Sequence, residues 1–354
     1  LGLFLVSASM EGHTWDFVVI GAGVAGITVA HQLHQQGKSV VVLEARDRIG
    51  GRVHTETVLV NDKPLIIEHG AQFLHGAQSN TVLKFLKHEK IKINTLPGPD
   101  WEDENILDLL HNGKHLETKE KEEYEELCRV VQEFLWDTRR NFMLYPDEED
   151  QSLASVVETW KEIFCATQQE RDWVDHIIHC NTTSDYGAEP RSMSCWHFDS
   201  DAEPLGGDLF CVDGYQNIFQ RFADGLEVRL NNVVEKIDYS ENMGLDYKAR
   251  IITEERDEYF AQCGVIVTVP LGVLKSRAIS FSPPLPEKKT SAIHRMGVAH
   301  LNKAWLVFES PFWDTSKRIF ENLSESGKTK LSAVYYTKEL HPNHNVLLLF
   351  YGGG

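Results

Sequence analysis

The residues best placed to do chemistry lie near the amino terminus. Gly21-Ala22-Gly23-Val24-Ala25-Gly26 is a Gly-x-Gly-x-x-Gly run, and Glu44 follows 18 residues after Gly26. Each glycine has its own use. Gly21 allows a sharp turn at a strand end, Gly23 lets backbone N–H groups approach a phosphate, and Gly26 lets a helix pack closely on a strand. Glu44 offers an acceptor pair for ribose hydroxyls. The elements that must position these groups flank them. Phe17 to Ile20 is an apolar strand, a helix-like stretch follows the glycines, and Ser39 to Leu43 is a second apolar strand ending at Glu44. In that order they put a pyrophosphate on a helix N-terminus and a carboxylate on a ribose, which is the arrangement of a dinucleotide site.

Directly after the acid comes Arg46-Asp47-Arg48-Ile49-Gly50-Gly51-Arg52. Two more glycines give a second close backbone approach, and Arg46 and Arg52 can neutralise phosphate. A plain NAD site does not need this second cradle. On this Glu-Ala-Arg-x-Arg-x-Gly-Gly-Arg run the chain resembles the flavin-containing amine oxidase family, and its polyamine- and spermine-oxidising members most closely. Further matches are Val269-Pro270-Leu271-Gly272-Val273-Leu274-Lys275, Phe281 to Pro286, Met296 to Lys303, and Phe312-Trp313. Together they spread over nearly the whole chain.

The resemblance implies an α/β fold of mixed α+β character. A Rossmann-like FAD-binding domain would be interleaved with a helical and β-sheet substrate domain. It implies FAD as cofactor, held by Gly21, Ala22, Gly23, Gly26, Glu44, Ala45, Arg46, Gly50, Gly51 and Arg52. Gln72 and Phe73 would lie near the flavin ring, and Val234 would bond the adenine edge through its backbone. It places a substrate-contacting histidine at His75. It also makes Lys303 the catalytic lysine, bonded to a water beside the flavin. The activity implied is oxidation of an amine C–N bond to an imine and then an aldehyde, with O₂ reduced to H₂O₂. The partners would be a small amine, such as a polyamine or its acetylated form, and O₂. An L-amino-acid or monoamine oxidase is the alternative enzyme, and a catalytically silent FAD-binding fragment the alternative outside catalysis. By residue type alone, Lys303 is an exposed lysine at a strand start and His75 a loop histidine.

The 354 residues are enough for two domains with a sizeable core. A net charge of −18 argues against nucleic acid as the main partner and suits a cationic substrate, although many proteins are simply acidic. No apolar run approaches the roughly 20 residues of a membrane-spanning helix. Six cysteines show no Cys-x-x-Cys pair and no metal spacing, so no structural metal is expected. Leu1 to Ser9 fits the end of a signal-peptide apolar region, and Asn181-Thr182-Thr183 and Asn322-Leu323-Ser324 are glycosylation sequons; both would fit secretion. Met10 fits equally as a true start, with a cytoplasmic or peroxisomal protein. The chain stops just after a strand at Asn345 to Tyr351, and the expectation is a chain cut at its C-terminus.

The expected segments are 14–96 and 212–290 for the FAD domain, and 97–211 and 291–354 for the substrate domain. Within 97–180, Tyr124, Leu127, Cys128, Val131, Phe134 and Leu135 form a helical apolar stripe, and Leu153, Val156, Val157 and Trp160 a second. The carboxylate-rich loop 199–214 supplies Asp201 and Glu203 as weak candidates for pairing a distant ammonium. Leu226 to Ile237 reads as strand, loop, strand. Ala249 to Thr253 and Tyr259 to Cys263 read as meander strands. Val265 to Val269 reads as a buried strand ended by Pro270.

Overall fold

A computed structural model of the chain describes residues 13–98, 107–111, 113–144, 149–198, 205–240, 247–323 and 334–352. The chain divides into two compact units. One takes Leu1–Glu56, Glu68–Gln72 and Asp213–Met296; the other takes Thr57–Ile67, Phe73–Val212 and Gly297–Gly354. The segments expected from sequence switch at 97, 212 and 291, whereas the chain first crosses over at 57 and leaves again at 73. The cause is a small sheet in which Phe73–Leu74 and Thr95–Pro97 both pair with Leu209–Cys211, tying residues 73–97 to the second unit.

The first unit is built on β1 (His13–Ile20), α1 (Val24–Gln35) and β2 (Val40–Leu43). Its sheet runs in the spatial order Glu227–Arg229, β2, β1, Glu258–Val267, Ala249–Thr253, Val234–Asp238, Ser280–Ser282. All four residues of β2 are buried, as suits a central strand of a parallel sheet. Their branched side chains fit that pleated surface. The carboxyl ends of the parallel strands lie level: Ile20 registers with Leu43 and Val267, and Leu43 with Arg229. In open α/β sheets that edge is where ligands bind.

Two expectations change here. Tyr259 to Cys263 and Val265 to Val267 belong to one ten-residue strand that passes through Gly264. It is only partly buried, with Val267 37% exposed. Pro270 does not end the strand itself but caps the short helix Leu271–Ser276.

The second unit holds a six-stranded sheet in the order Leu301–Phe308, Asn345–Gly352, Val334–Tyr336, Ile319–Leu323, Leu107–His111, Lys114–His115. The stretch from 97 is therefore not all helical insertion. Strand pairing at Leu107–His111 precedes the helices Thr118–Leu144, Leu153–Phe164 and Gln168–Ile178. Ser152 caps the second helix, and Thr167 with Glu170 forms a capping box on the third. Both expected stripes fall in one hydrophobic cluster with Trp173, Val174, Ile177 and Ile178, joined by Leu109 and Leu323 from the sheet. Each fully buried aliphatic side chain there contributes about 1.5–3 kcal/mol. Among the described residues no helix is long and apolar enough to cross a membrane.

Candidate functional site

In the first unit the backbone builds a cradle. Gly21 has φ +100° and donates its N–H to Leu43 O at 2.8 Å. A Cβ on Gly26 would stand 1.9 Å from Gly21 O, so helix and turn meet there without room for a side chain. Gly23 differs. It caps α1 with no side-chain acceptor and no acid in the first turn, leaving the helix start for an outside anion. A Cβ on Gly23 would meet nothing nearer than Gly51 Cα at 4.0 Å. The protein's own packing does not require glycine at that position. The second glycine loop lies against the first. Gly50 N–H donates to Ala22 O at 2.8 Å, and a Cβ on Gly51 would come within 3.1 Å of Gly23 Cα.

Glu44 is buried beside this cradle. Its Oε2 accepts the Ala22 N–H at 2.6 Å and its Oε1 the Arg46 N–H at 3.0 Å. Its own N–H donates to Arg229 O at 2.9 Å, and its C=O accepts from Asn232 N–H at 2.8 Å. The carboxylate is thus fixed, and each oxygen keeps a lone pair for a further donor. Ala22 is buried, whereas Ala45, Arg46 and Arg52 are exposed. The arginine that shapes the loop is Arg48, which donates to Ile49 O at 3.2 Å and Gly51 O at 3.0 Å. Burial, then the neighbouring Arg46 charge, pulls its pKa below the ordinary guanidinium value. Val234 is buried at a register shift opposite Thr253.

One buried acid escaped the sequence reading. Glu68 is 3% exposed and accepts from Thr55 Oγ1 at 2.7 Å and from the Tyr215 N–H at 2.6 Å. It secures the short return segment Glu68–Gln72, which carries the buried Gln72. No local pattern marks Glu68, because one of its partners is 147 residues away.

Three candidates belong to the second unit. Phe73 and His75 stack with centroids 5.3 Å apart, and Phe73 also packs on Phe210 at 4.9 Å. His75 Nδ1 lies 3.0 Å from Asp208 Oδ2 across the small sheet, and its C=O accepts from Asn80 Nδ2 at 2.8 Å. Asp208 comes from the acidic stretch 199–214, but it is not one of the two acids singled out there; Asp201 and Glu203 lie outside the described residues. Lys303 sits inside the strand Leu301–Phe308 rather than at its start. It registers with Phe350, and its Nζ lies 5.3 Å from that ring centroid.

The second unit also holds a cluster of buried titratable side chains. Burial pushes the Cys180 thiol and the Tyr124 hydroxyl well above their ordinary values, with the Glu321 charge adding to both. Burial raises Cys128 to about 12 despite a hydrogen bond from Tyr124. Both sequon asparagines sit in regular elements: Asn181 Nδ2 donates to Ile177 O, and Asn322 Oδ1 accepts from Gly113 N–H. Leu1 to Met10 lie outside the described residues.

The family described as flavin containing amine oxidoreductase matches residues 24–354. Polyamine oxidase 4 of Oryza sativa subsp. japonica is 30% identical over 351 residues, which cover 95% of this chain and 67% of that protein. Lysine-specific histone demethylase 2 of Homo sapiens is 29% identical over 351 residues, 96% of this chain and 41% of its own length. The chain thus spans about two fifths of one relative and two thirds of the other. A putrescine oxidase redesigned in its cofactor binding shares the fold, with a TM-score of 0.70 at 20% identity over 96% of this chain and 76% of that one.

Proposed function

The chain belongs to the flavin containing amine oxidoreductase family, with FAD as its cofactor, and on that footing we propose that it oxidises the C–N bond of a polyamine. The observation that carries this is the cradle: an uncapped α1, a Gly23 open to an outside ligand, and a buried, fixed Glu44. Bound there, FAD supplies the two-electron acceptor for the carbon beside an amine nitrogen. Glu44 accepts the ribose hydroxyls, the N–H groups at the start of α1 receive the diphosphate, and exposed Arg46 and Arg52 balance its charge. Ala45, Gly50 and Gly51 complete the backbone wall on that side. Gln72 and Phe73 orient the ring of the cofactor, and Val234 meets the adenine.

His75, held by Asp208, contacts the amine, and Lys303 handles a proton through water. Two electrons and a proton leave the carbon and a second proton leaves the nitrogen, water adds to the resulting imine, and an aldehyde and a shortened amine depart. O₂ takes up the two electrons and two protons as H₂O₂. The reacting nitrogen is neutral at that moment, so an apolar surround such as the Phe350 ring near Lys303 suits it. The net charge of −18 steers a polycation toward the protein.

A second substrate class follows from the demethylase relative, whose name specifies lysine: an alkylated lysine side chain is also an alkyl amine. The test uses the purified flavoprotein under argon. Spermine is expected to bleach the flavin absorbance, while an L-amino acid and a methyl-lysine peptide leave it unchanged. Bleaching by the peptide alone selects the second class. A folded protein that takes up no FAD removes the assignment altogether. Lys303→Met is expected to keep FAD and to slow reduction or reoxidation; unchanged rates would remove Lys303 from the chemistry.

A further inference from the structure

We propose that His176, Cys180 and Glu321 form a binding site for one zinc-class divalent cation within the second unit. The three side chains offer an imidazole nitrogen, a thiol sulfur and a carboxylate oxygen, all within 4.8 Å of one another. His176 Nε2 is 3.4 Å from Cys180 Sγ and 3.4 Å from Glu321 Oε2. Zinc bonds of about 2.0–2.3 Å at tetrahedral angles put such donor atoms about 3.3–3.6 Å apart. The two nitrogen distances are therefore those of tetrahedron edges, whereas the sulfur and the carboxylate oxygen lie within 4.8 Å of each other, an edge that the ion would draw in.

The contacts satisfy a cation better than they satisfy hydrogen bonding. One ring nitrogen faces both a thiol and a carboxylate, and a single proton on it serves only one of them well. If the nitrogen accepts from the thiol, it faces the carboxylate lone pairs. With a cation at the centre, all three groups donate electron pairs and the conflict ends. Among the described residues no lysine or arginine pairs with Glu321, whose side chain is only 19% exposed. A half-buried carboxylate facing a histidine and a thiol lacks a full countercharge, and a divalent ion supplies one.

The supports are regular elements. His176 lies in the last turn of the helix Gln168–Ile178, and Cys180, four residues on, lies in the π-helical turn His179–Thr183. Wide turns of this type recur at functional sites. Its loosened carbonyls are covered by side chains: Asn181 Nδ2 donates to Ile177 O at 2.9 Å, and Thr182 Oγ1 to Ile178 O at 2.5 Å. Glu321 sits mid-strand, registered with Leu109. On binding, the S–H bond of Cys180 breaks, its proton leaves to solvent, and the sulfur pair bonds the metal. The sequence carries no metal spacing because Glu321 stands 145 residues from His176.

The test starts from the purified full chain with its flavin, stripped by a chelator, given one equivalent of Zn²⁺ and desalted. One zinc per chain is expected by elemental analysis, and Co²⁺ in its place is expected to give a thiolate charge-transfer band. Cys180→Ser should lose that band with flavin content unchanged, while Cys263→Ser, at an exposed thiol, keeps it. If Cys180→Ser does not fold, Glu321→Gln provides the reading: zinc affinity should fall at least the 10–100-fold that even outer-sphere changes cause. No zinc on the wild-type chain, a cobalt band that survives Cys180→Ser, or unchanged affinity in Glu321→Gln would overturn the site.

Discussion

The glycine cradle of the first unit and the polar clusters of the second are assembled by opposite means. In the cradle, neighbours in sequence are neighbours in space: Gly21 to Gly26, Glu44 and Gly50-Gly51 are joined by backbone bonds and by the Glu44 carboxylate within one β1–α1–β2 unit and its following loop. In the second unit, His75 meets an acid 133 residues later and His176 one 145 residues later. Geometry in the first case is imposed by the backbone, where at Gly26 a Cβ is forbidden. In the second it is imposed by packing, which brings together side chains that are individually replaceable. The cradle should therefore fail abruptly on mutation, and the clusters by degrees.

The largest effect tests that contrast inside the cradle itself. Gly26→Val forces a side chain against Gly21 O and should cost about 4 kcal/mol, leaving little folded flavoprotein by urea titration. Gly23→Ala meets only open space, so its unfolding free energy from urea titration should move by no more than about 1 kcal/mol while FAD retention collapses. Retained FAD in Gly23→Ala would show that the open face of the cradle is not the ligand's.

A smaller effect is expected at Glu44. Glu44→Gln replaces one of the two oxygens that accept the Ala22 and Arg46 N–H groups by an amide NH₂, which should cost about 1–3 kcal/mol of stability and lower the flavin-to-protein ratio. An unaltered ratio would separate Glu44 from the cofactor.

In the second unit, Asp208→Asn weakens a polar contact to a histidine whose side chain is 62% exposed. Such a contact is worth about 0.2–1 kcal/mol, so KM for a polyamine should rise about two- to five-fold with kcat and thermal midpoint nearly constant. A collapse of stability would make Asp208 part of the frame and weaken the contrast between the regions.

The last and mildest effect concerns pH. His341 is buried, contacting Thr337 Oγ1 at 2.7 Å and Ile66 O at 2.8 Å. Burial lowers its pKa, so the fold prefers the neutral ring. A depressed folded value means stability that is whole above the ordinary histidine range and is lost as pH falls through the folded value. The thermal midpoint should drop on acidification below about pH 6.5, and less in His341→Gln. Equal acid sensitivity in both would assign the drop to other groups.

Much of this architecture was legible before any coordinate. The apolar runs of β1 and β2, the glycine turn and both helical stripes are local patterns, and each becomes the element it suggests. The boundaries that shifted have nonlocal causes. Phe73–Leu74 leaves the first unit because Leu209–Cys211 pairs with it, and the strand through Gly264 is continuous because β1 lies alongside it from Tyr259 to Val267. Glu68 and Asp208 were missed because nothing adjacent in the chain distinguishes a buried, bonded carboxylate from a solvated one.

The sequence by itself determined where a dinucleotide would be gripped, since backbone freedom at glycine and apolar periodicity are properties of single residues and their near neighbours. Only the tertiary structure decided which carboxylates face which histidines and thiols. Those meetings depend on how distant strands and helices register, and side-chain chemistry carries no record of its future partner.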